Sequence, residues 1–198
     1  MDIDMGSIAA ELAIRRAVLG FYHRDRGNWE ALRALFTSDA EIRISWYRGS
    51  IDGFIEGSKA MAKEGRTTSR HLINPPRVDV AGLRAVADSD VEMIIRMPTD
   101  AGELDVRSWI RFLDLLKCVE GQWLIAKRTA IYELDRIDPV VPGTHFDLRG
   151  CETFPPAYKH VAFLLNQIGR ELQDKLPTAG DAEEAAVYEE AAAWLGGH

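Results

Sequence analysis

Residues 122–132 read QWLIAKRTAIY. Two apolar sets alternate in this stretch. A period of two places Leu124, Ala126, Arg128, Ala130 and Tyr132 on one face of a strand, and Trp123, Ile125, Lys127, Thr129 and Ile131 on the other. The same period runs back to Thr68, and it predicts strands over 68–74, 77–80, 84–97, 103–118 and 121–135. Between the long ones lie Pro98-Thr99-Asp100-Ala101-Gly102 and Val119-Glu120-Gly121, both rich in turn formers. Long strands joined by short turns predict an antiparallel sheet.

The preceding chain has a helical period. Ser7 reads as the cap of a helix running to about Arg26, with Ile8, Leu12, Val18, Leu19 and Tyr22 as its apolar stripe. Gly27 ends it. Asn28 opens a second helix, through Trp29, Leu32, Leu35 and Phe36, that reaches Ser38-Asp39. EIRISWY, residues 41–47, reads as a strand, and the glycine-bounded stretch 53–65 as a short helix. Helices first and long strands afterwards predict an α+β fold: a curved antiparallel sheet with the helices covering one face.

After Pro139-Val140-Val141-Pro142-Gly143 the character changes. Residues 144–155 look irregular. A helix is expected over 156–176, with Val161, Leu164, Leu165, Ile168 and Leu172 on one stripe. Asp181 and Glu184 form a capping-box-like start to a last helix that ends before Gly196. The expected division is a main domain over 1–143 and a helical extension over 144–198, packed on that domain, over its pocket, or on a second subunit.

Composition narrows the function classes. A net charge of −7 with no run of Lys and Arg argues against a nucleic-acid footprint. No apolar run approaches the roughly 18 residues of a membrane helix. The acidic start, MDIDMGSIAAELAIRR, does not resemble a secretory leader. Cys118 and Cys151 are isolated thiols without metal-ligand spacing, which suits a reducing cytoplasm. A cytoplasmic protein without metal or cofactor is the expectation.

Three residues carry the candidate chemistry. Asp25 closes the first predicted helix, and His71 lies in the strand SRHLINP, residues 69–75. Arg128 shares a mostly apolar strand face, where a guanidinium needs a carboxylate, an anion or water unless it reaches out to solvent.

The segments DRGNWEALRALFTSDA (25–40), RHLIN (70–74) and GQWLIAKR (121–128) together resemble a SnoaL-like domain of the nuclear-transport-factor-2-like superfamily. The resemblance spans about residues 7–138. It implies a curved sheet and three helices around a cone-shaped pocket, and a homo-oligomer, dimer or trimer. In the dehydratase and dehydrochlorinase branch, an aspartate at the end of the first helix orients a proton-abstracting histidine. These roles fall on Asp25 and His71, and that of a pocket arginine on Arg128. Tyr22, Trp46, Tyr47 and Trp109 are expected as aromatic wall residues, with Tyr47 also as a holder of the developing anion. The chain departs from scytalone dehydratase in carrying Arg24 where a tyrosine precedes the aspartate. It also has no histidine between His71 and His145. The implied function is a cofactor-independent lyase or isomerase acting on a small, apolar cyclic or aromatic molecule. The alternative is a binding or structural subunit like the β subunit of ring-hydroxylating dioxygenases.

Overall fold

The computed structural model describes residues 5–197. Helices α1 (Met5–Leu19), α2 (Tyr22–Asp25) and α3 (Trp29–Arg33) come first. Strands β1 (Phe36–Ile44) and β2 (Tyr47–Ser50) and helix α4 (Ile51–Glu64) follow. Then come β3 (Thr68–Ile73), β4 (Arg77–Ala81), β5 (Arg84–Thr99), β6 (Gly102–Val119) and β7 (Gln122–Pro139). Helices α5 (Lys159–Gln167) and α6 (Ala182–Gly196) end the chain. All seven strands form one sheet in the order β2-β1-β7-β6-β5-β3, and β4 pairs with the start of β5. Among the described residues, no helix is long and apolar enough to cross a membrane.

The fold is α+β, as expected, and the alternating segments became strands close to their predicted limits. One pairing differs. β1 lies parallel to β7, so the sheet is mixed rather than antiparallel. Alternation reports which face a side chain takes, but not the direction of the neighbouring strand.

The helices depart further from expectation. α1 stops at Leu19, and its buried residues are Ile14, Ala17 and Val18, while Ile8 and Leu12 are about half exposed. The break falls at Gly20, where a Cβ would come within 2.8 Å of Leu35 Cδ1. Close packing against Leu35 therefore turns the chain and starts α2. α3 ends at Arg33, and Phe36–Asp39, expected as helix, already belongs to β1. α5 covers only Lys159–Gln167 of the helix expected over 156–176. Gly169, at φ +71°, adopts the left-handed conformation that stops a helix.

Two irregularities in β7 bend the sheet. Trp109 pairs with Leu134 but Ile110 pairs with Tyr132, so Glu133 is an extra residue; Ala126 is another, between the pairs Leu115–Lys127 and Leu116–Ile125. Such bulges increase twist and bending. The bulge at Glu133 also shifts the alternation. Arg128, Ala130 and Tyr132 face inward before it, and Asp135, opposite the buried Ser108, faces inward after it.

The concave face holds the main core, in which Ile14, Val18 and Phe21 meet Phe54, Phe112 and Ile125. Val161, Leu164 and Leu165 of α5 pack on Met97, Leu104 and Val106 at one end of the sheet. The N-terminal helices cover the concave face, and α6, from the extension, covers the opposite one. There Val187 and Ala191 pack on Val86, Leu113, Leu115 and Ile131. Asp181 caps α6 by accepting from Glu184 N at 2.7 Å, and Glu184 Oε2 accepts from Gly180 N.

Candidate active site

β3 is an edge strand. One side pairs with β5, with Ser69 opposite Ile95 and His71 opposite Met93. The backbone groups on its other side need partners. Asp25, at the end of α2, supplies one. Its Oδ2 accepts from the His71 backbone N–H at 2.7 Å, while Oδ1 lies 2.9 Å from His71 Nδ1. Arg70 donates back to the Asp25 carbonyl at 3.1 Å. The same carboxylate thus fixes both the main chain and the ring of His71. The pair is well covered, with the Asp25 and His71 side chains 4% and 8% exposed.

An ionised carboxylate only accepts, so Nδ1 carries the ring proton and Nε2 keeps its lone pair. Burial pushes the His71 pKa below its ordinary 6.5; Asp25 pulls it up, and the charges of Arg24 and Arg128 push it further down. Burial works against the Asp25 carboxylate too. There, hydrogen bonding and charge from His71, with the charge of Arg24, outweigh it and hold the pKa below 3.8. At neutral pH the site therefore holds a carboxylate beside a neutral imidazole.

His71 lines a cavity of about 50 Å³. Its walls are largely aromatic and aliphatic: Phe21, Trp46, Phe54, Phe112 and Tyr132, with Met61, Met93 and Ile95. Val161, Leu164, Leu165 and Ile168 cover it from the side of α5. Phe21 meets the His71 ring edge-on at 5.3 Å. Tyr132 is buried, and its hydroxyl accepts from Ser45 N–H at 2.8 Å. Burial pushes its pKa up to about 12, so it stays protonated.

The other expected site residues lie elsewhere. Arg128 does not line the cavity. It is 0% exposed, and its Nε and Nη2 bind the equally buried Asp114 at 2.7 and 2.6 Å. Its guanidinium carbon sits 4.6 and 4.5 Å from the ring centres of Phe21 and Phe112. Of the partners open to it, the one it takes is a carboxylate of the protein, directly across the strand pair. Tyr22 is 42% exposed under the guanidinium of Arg26. Tyr47 turns its hydroxyl to the Ser50 carbonyl at 2.9 Å and packs on Phe54. Trp109 lies next to Arg136 and pairs with the outward-facing Leu134. Of the four aromatic residues expected as wall, only Trp46 lines the cavity.

Sequence reading missed Phe21, Phe112 and Tyr132 as lining residues, although alternation in β6 and β7 could have found the last two. His160, in the extension after residue 143, forms a second histidine–aspartate pair. His160 Nδ1 lies 2.7 Å from Asp135 Oδ1, and Asp135 Oδ2 accepts from Val161 N at 2.8 Å. This second pair anchors the first turn of α5 to β7. Among the described residues, no three His, Cys, Asp or Glu side chains gather into a metal site.

The fold and site define a class, a curved-sheet domain with a histidine–aspartate pair on its concave face. The chain belongs to the SnoaL-like domain family, whose profile matches residues 6–129. An uncharacterised protein of Aspergillus terreus is 30% identical over 161 residues, 72% of this chain; the chain spans 59% of that relative's length. A candidate scytalone dehydratase from Novosphingobium aromaticivorans superposes with a TM-score of 0.55 at 19% identity, over 70% of this chain and 92% of that one. A hexachlorocyclohexane dehydrochlorinase, LinA-type3, from Novosphingobium barchaimii gives a TM-score of 0.57 at 17% identity, over 78% and 100%. At these identities the two structures show a shared fold.

Proposed function

We propose that the protein is a lyase or isomerase that needs no cofactor and starts by removing a proton from carbon. The observation that carries this reading is the pair of hydrogen bonds that Asp25 accepts from the ring and backbone of His71, on the wall of an apolar cavity. With Nδ1 held by Asp25, Nε2 is the nitrogen that takes a proton from carbon next to a carbonyl or another electron-withdrawing group. The imidazolium formed is stabilised by the Asp25 carboxylate. The electron pair moves onto the carbonyl oxygen as an enolate. It then either expels a β-hydroxyl with formation of a double bond, the His71 imidazolium returning its proton to the departing oxygen, or takes that proton at another carbon. Tyr132, with Ser45 N–H fixing its oxygen, is the donor for the oxygen that gains charge. The apolar wall suits a cyclic or aromatic substrate.

Cavity size favours keeping a second reading. An apolar cavity of about 150 Å³ holds benzene, and this one is about 50 Å³. A structural subunit needs no larger space, whereas an enzyme must widen the cavity by moving α5, Met61 or Met93.

The test is elimination of water from 3-hydroxycyclohexanone and related β-hydroxy ketones, followed by enone absorbance and by deuterium uptake at the α carbon. His71→Gln is expected to lower the rate by about 10²-fold or more. An undiminished rate in His71→Gln would remove His71 as the base. A folded protein with no exchange on any ketone would favour the structural reading.

A further inference from the structure

Beside the apolar cavity lies an outer pocket of about 190 Å³. Arg24, Met61, Thr67 and Ser69 line both spaces, so the two adjoin at these side chains. The outer pocket differs in chemistry. Two guanidinium groups, Arg24 and Arg70, face one carboxylate, Asp25, which His71 already engages through both oxygens.

Neither arginine has a carboxylate to itself. Arg24 Nη1 donates to Ser69 Oγ and, at a long 3.3 Å, to the Asp25 Oδ1 that His71 also uses. The Arg24 side chain is only 12% exposed, and burial lowers its pKa. Arg70 Nη1 donates to two backbone carbonyls, those of Asp25 and Ser69. Ser58, on α4, lines the same pocket and is 2% exposed, and its hydroxyl has no hydrogen-bond partner. A buried hydroxyl without a partner is costly to the fold and marks a donor without its acceptor. Two cations in excess over free carboxylates, with an unused buried donor, describe the recognition of an oxyanion.

We propose that this outer pocket is a carboxylate-binding subsite formed by Arg24, Arg70 and Ser58. The substrate is then a cyclic or aromatic acid, its carboxylate in the outer pocket and its ring entering the apolar cavity past Met61. This deepens the lyase reading and rests on it for the placement of the ring. The ring still requires the cavity of about 50 Å³ to widen, by movement of α5, Met61 or Met93. Arg24 reaches both spaces and acts as the specificity-determining residue.

Binding tests the subsite without requiring turnover. Benzoate and benzamide have nearly the same shape and differ in charge. Calorimetry on the full chain is expected to show benzoate binding at least about tenfold more tightly than benzamide, which is about 1.4 kcal/mol. Arg24→Met should reduce the preference to about twofold or less, and Arg24→Lys should keep most of it. Arg70→Met, at an exposed side chain, should weaken benzoate selectively and serves if Arg24→Met does not fold. Asp25→Asn should tighten benzoate by removing a competing negative charge. Equal affinities for the two probes, binding of neither, or a preference that survives both Arg→Met changes would overturn the subsite. A benzoate preference in a protein that exchanges no ketone protons would uphold the subsite and count against the lyase reading alone.

Discussion

Replacing Asp114 with Asn should be among the most damaging single changes in the protein. Arg128 and Asp114 are both 0% exposed and joined by two hydrogen bonds of 2.7 and 2.6 Å. Arg128 Nη1 already lacks a partner, and Nη2 makes one further long contact, to the Val18 carbonyl at 3.4 Å. Burial raises the Asp114 pKa, against the pull of the Arg128 charge and hydrogen bonds. Without the carboxylate, a guanidinium stays buried between Phe21 and Phe112 with no counter-charge. Breaking a buried pair in this way costs about 3–5 kcal/mol, whereas replacing both partners by apolar residues is often neutral. Total stability is about 5–15 kcal/mol. With a urea m-value of about 2 kcal/mol/M, the midpoint should fall by about 2 M. Urea melts followed by tryptophan fluorescence would measure it, with Arg128→Met/Asp114→Leu as the control. The double variant should recover most of the loss. A loss under about 1 kcal/mol in Asp114→Asn would refute the reasoning. The guanidinium would then be satisfied without Asp114.

The pair formed by Asp135 and His160 holds α5 over the cavity, so Asp135→Ala should cost about 1 kcal/mol, as loss of a helix cap does. It should also speed hydrogen exchange at Val161–Leu165 well before other amides; unchanged exchange there would contradict an anchoring role. Stability should fall as pH drops below 6.5, the ordinary histidine value. The unfolded chain binds a proton on His71 there before the folded chain does, so acid favours unfolding until pH passes below the depressed folded pKa. Denaturation midpoints across this range should show a shallower slope in His71→Gln, and an identical slope would count against a buried neutral imidazole. Leu72, Glu92, Trp109 and Leu134 form a row across the outer sheet face, with Leu72 and Leu134 53% and 52% exposed. If this face joins two copies, Leu134→Glu should lower the mass seen by sedimentation, and an unchanged mass would place any interface elsewhere.

Much of the fold was legible because alternation runs unbroken along β5 and β6 and between the two bulges of β7, where one face is buried and the other meets α6 or solvent. Helix limits were less so. α1 carries two apolar sets, and the exposed one, Ile8 and Leu12, was as regular as the buried Ile14 and Val18. The turn falls at Gly20, where Leu35 leaves no room for a Cβ. The placement of Asp25 beside His71 followed from resemblance, because 46 positions separate them and no local pattern links them. Arg128 shows the limit of face assignment. It shares a face with Ala130 and Tyr132 as expected, whereas the bulge at Ala126 brings Ile125, expected on the other face, into the same core; depth along that face then decides between cavity and core. Depth depended on Asp114, a cross-strand partner that single-strand alternation does not reveal. Trp109 and Tyr47 failed for a related reason: aromatic type alone does not distinguish the concave face from the outer one.

The central claim is that Asp25 and His71 act as one proton-transfer unit. Titration of His71 by NMR in the parent and in Asp25→Asn tests it most directly. The account predicts a pKa below 6.5 in the parent and a further fall in the variant, since losing a nearby carboxylate destabilises the imidazolium. The same titration curve in both proteins would contradict it and leave His71 an uncoupled histidine of the β3 edge.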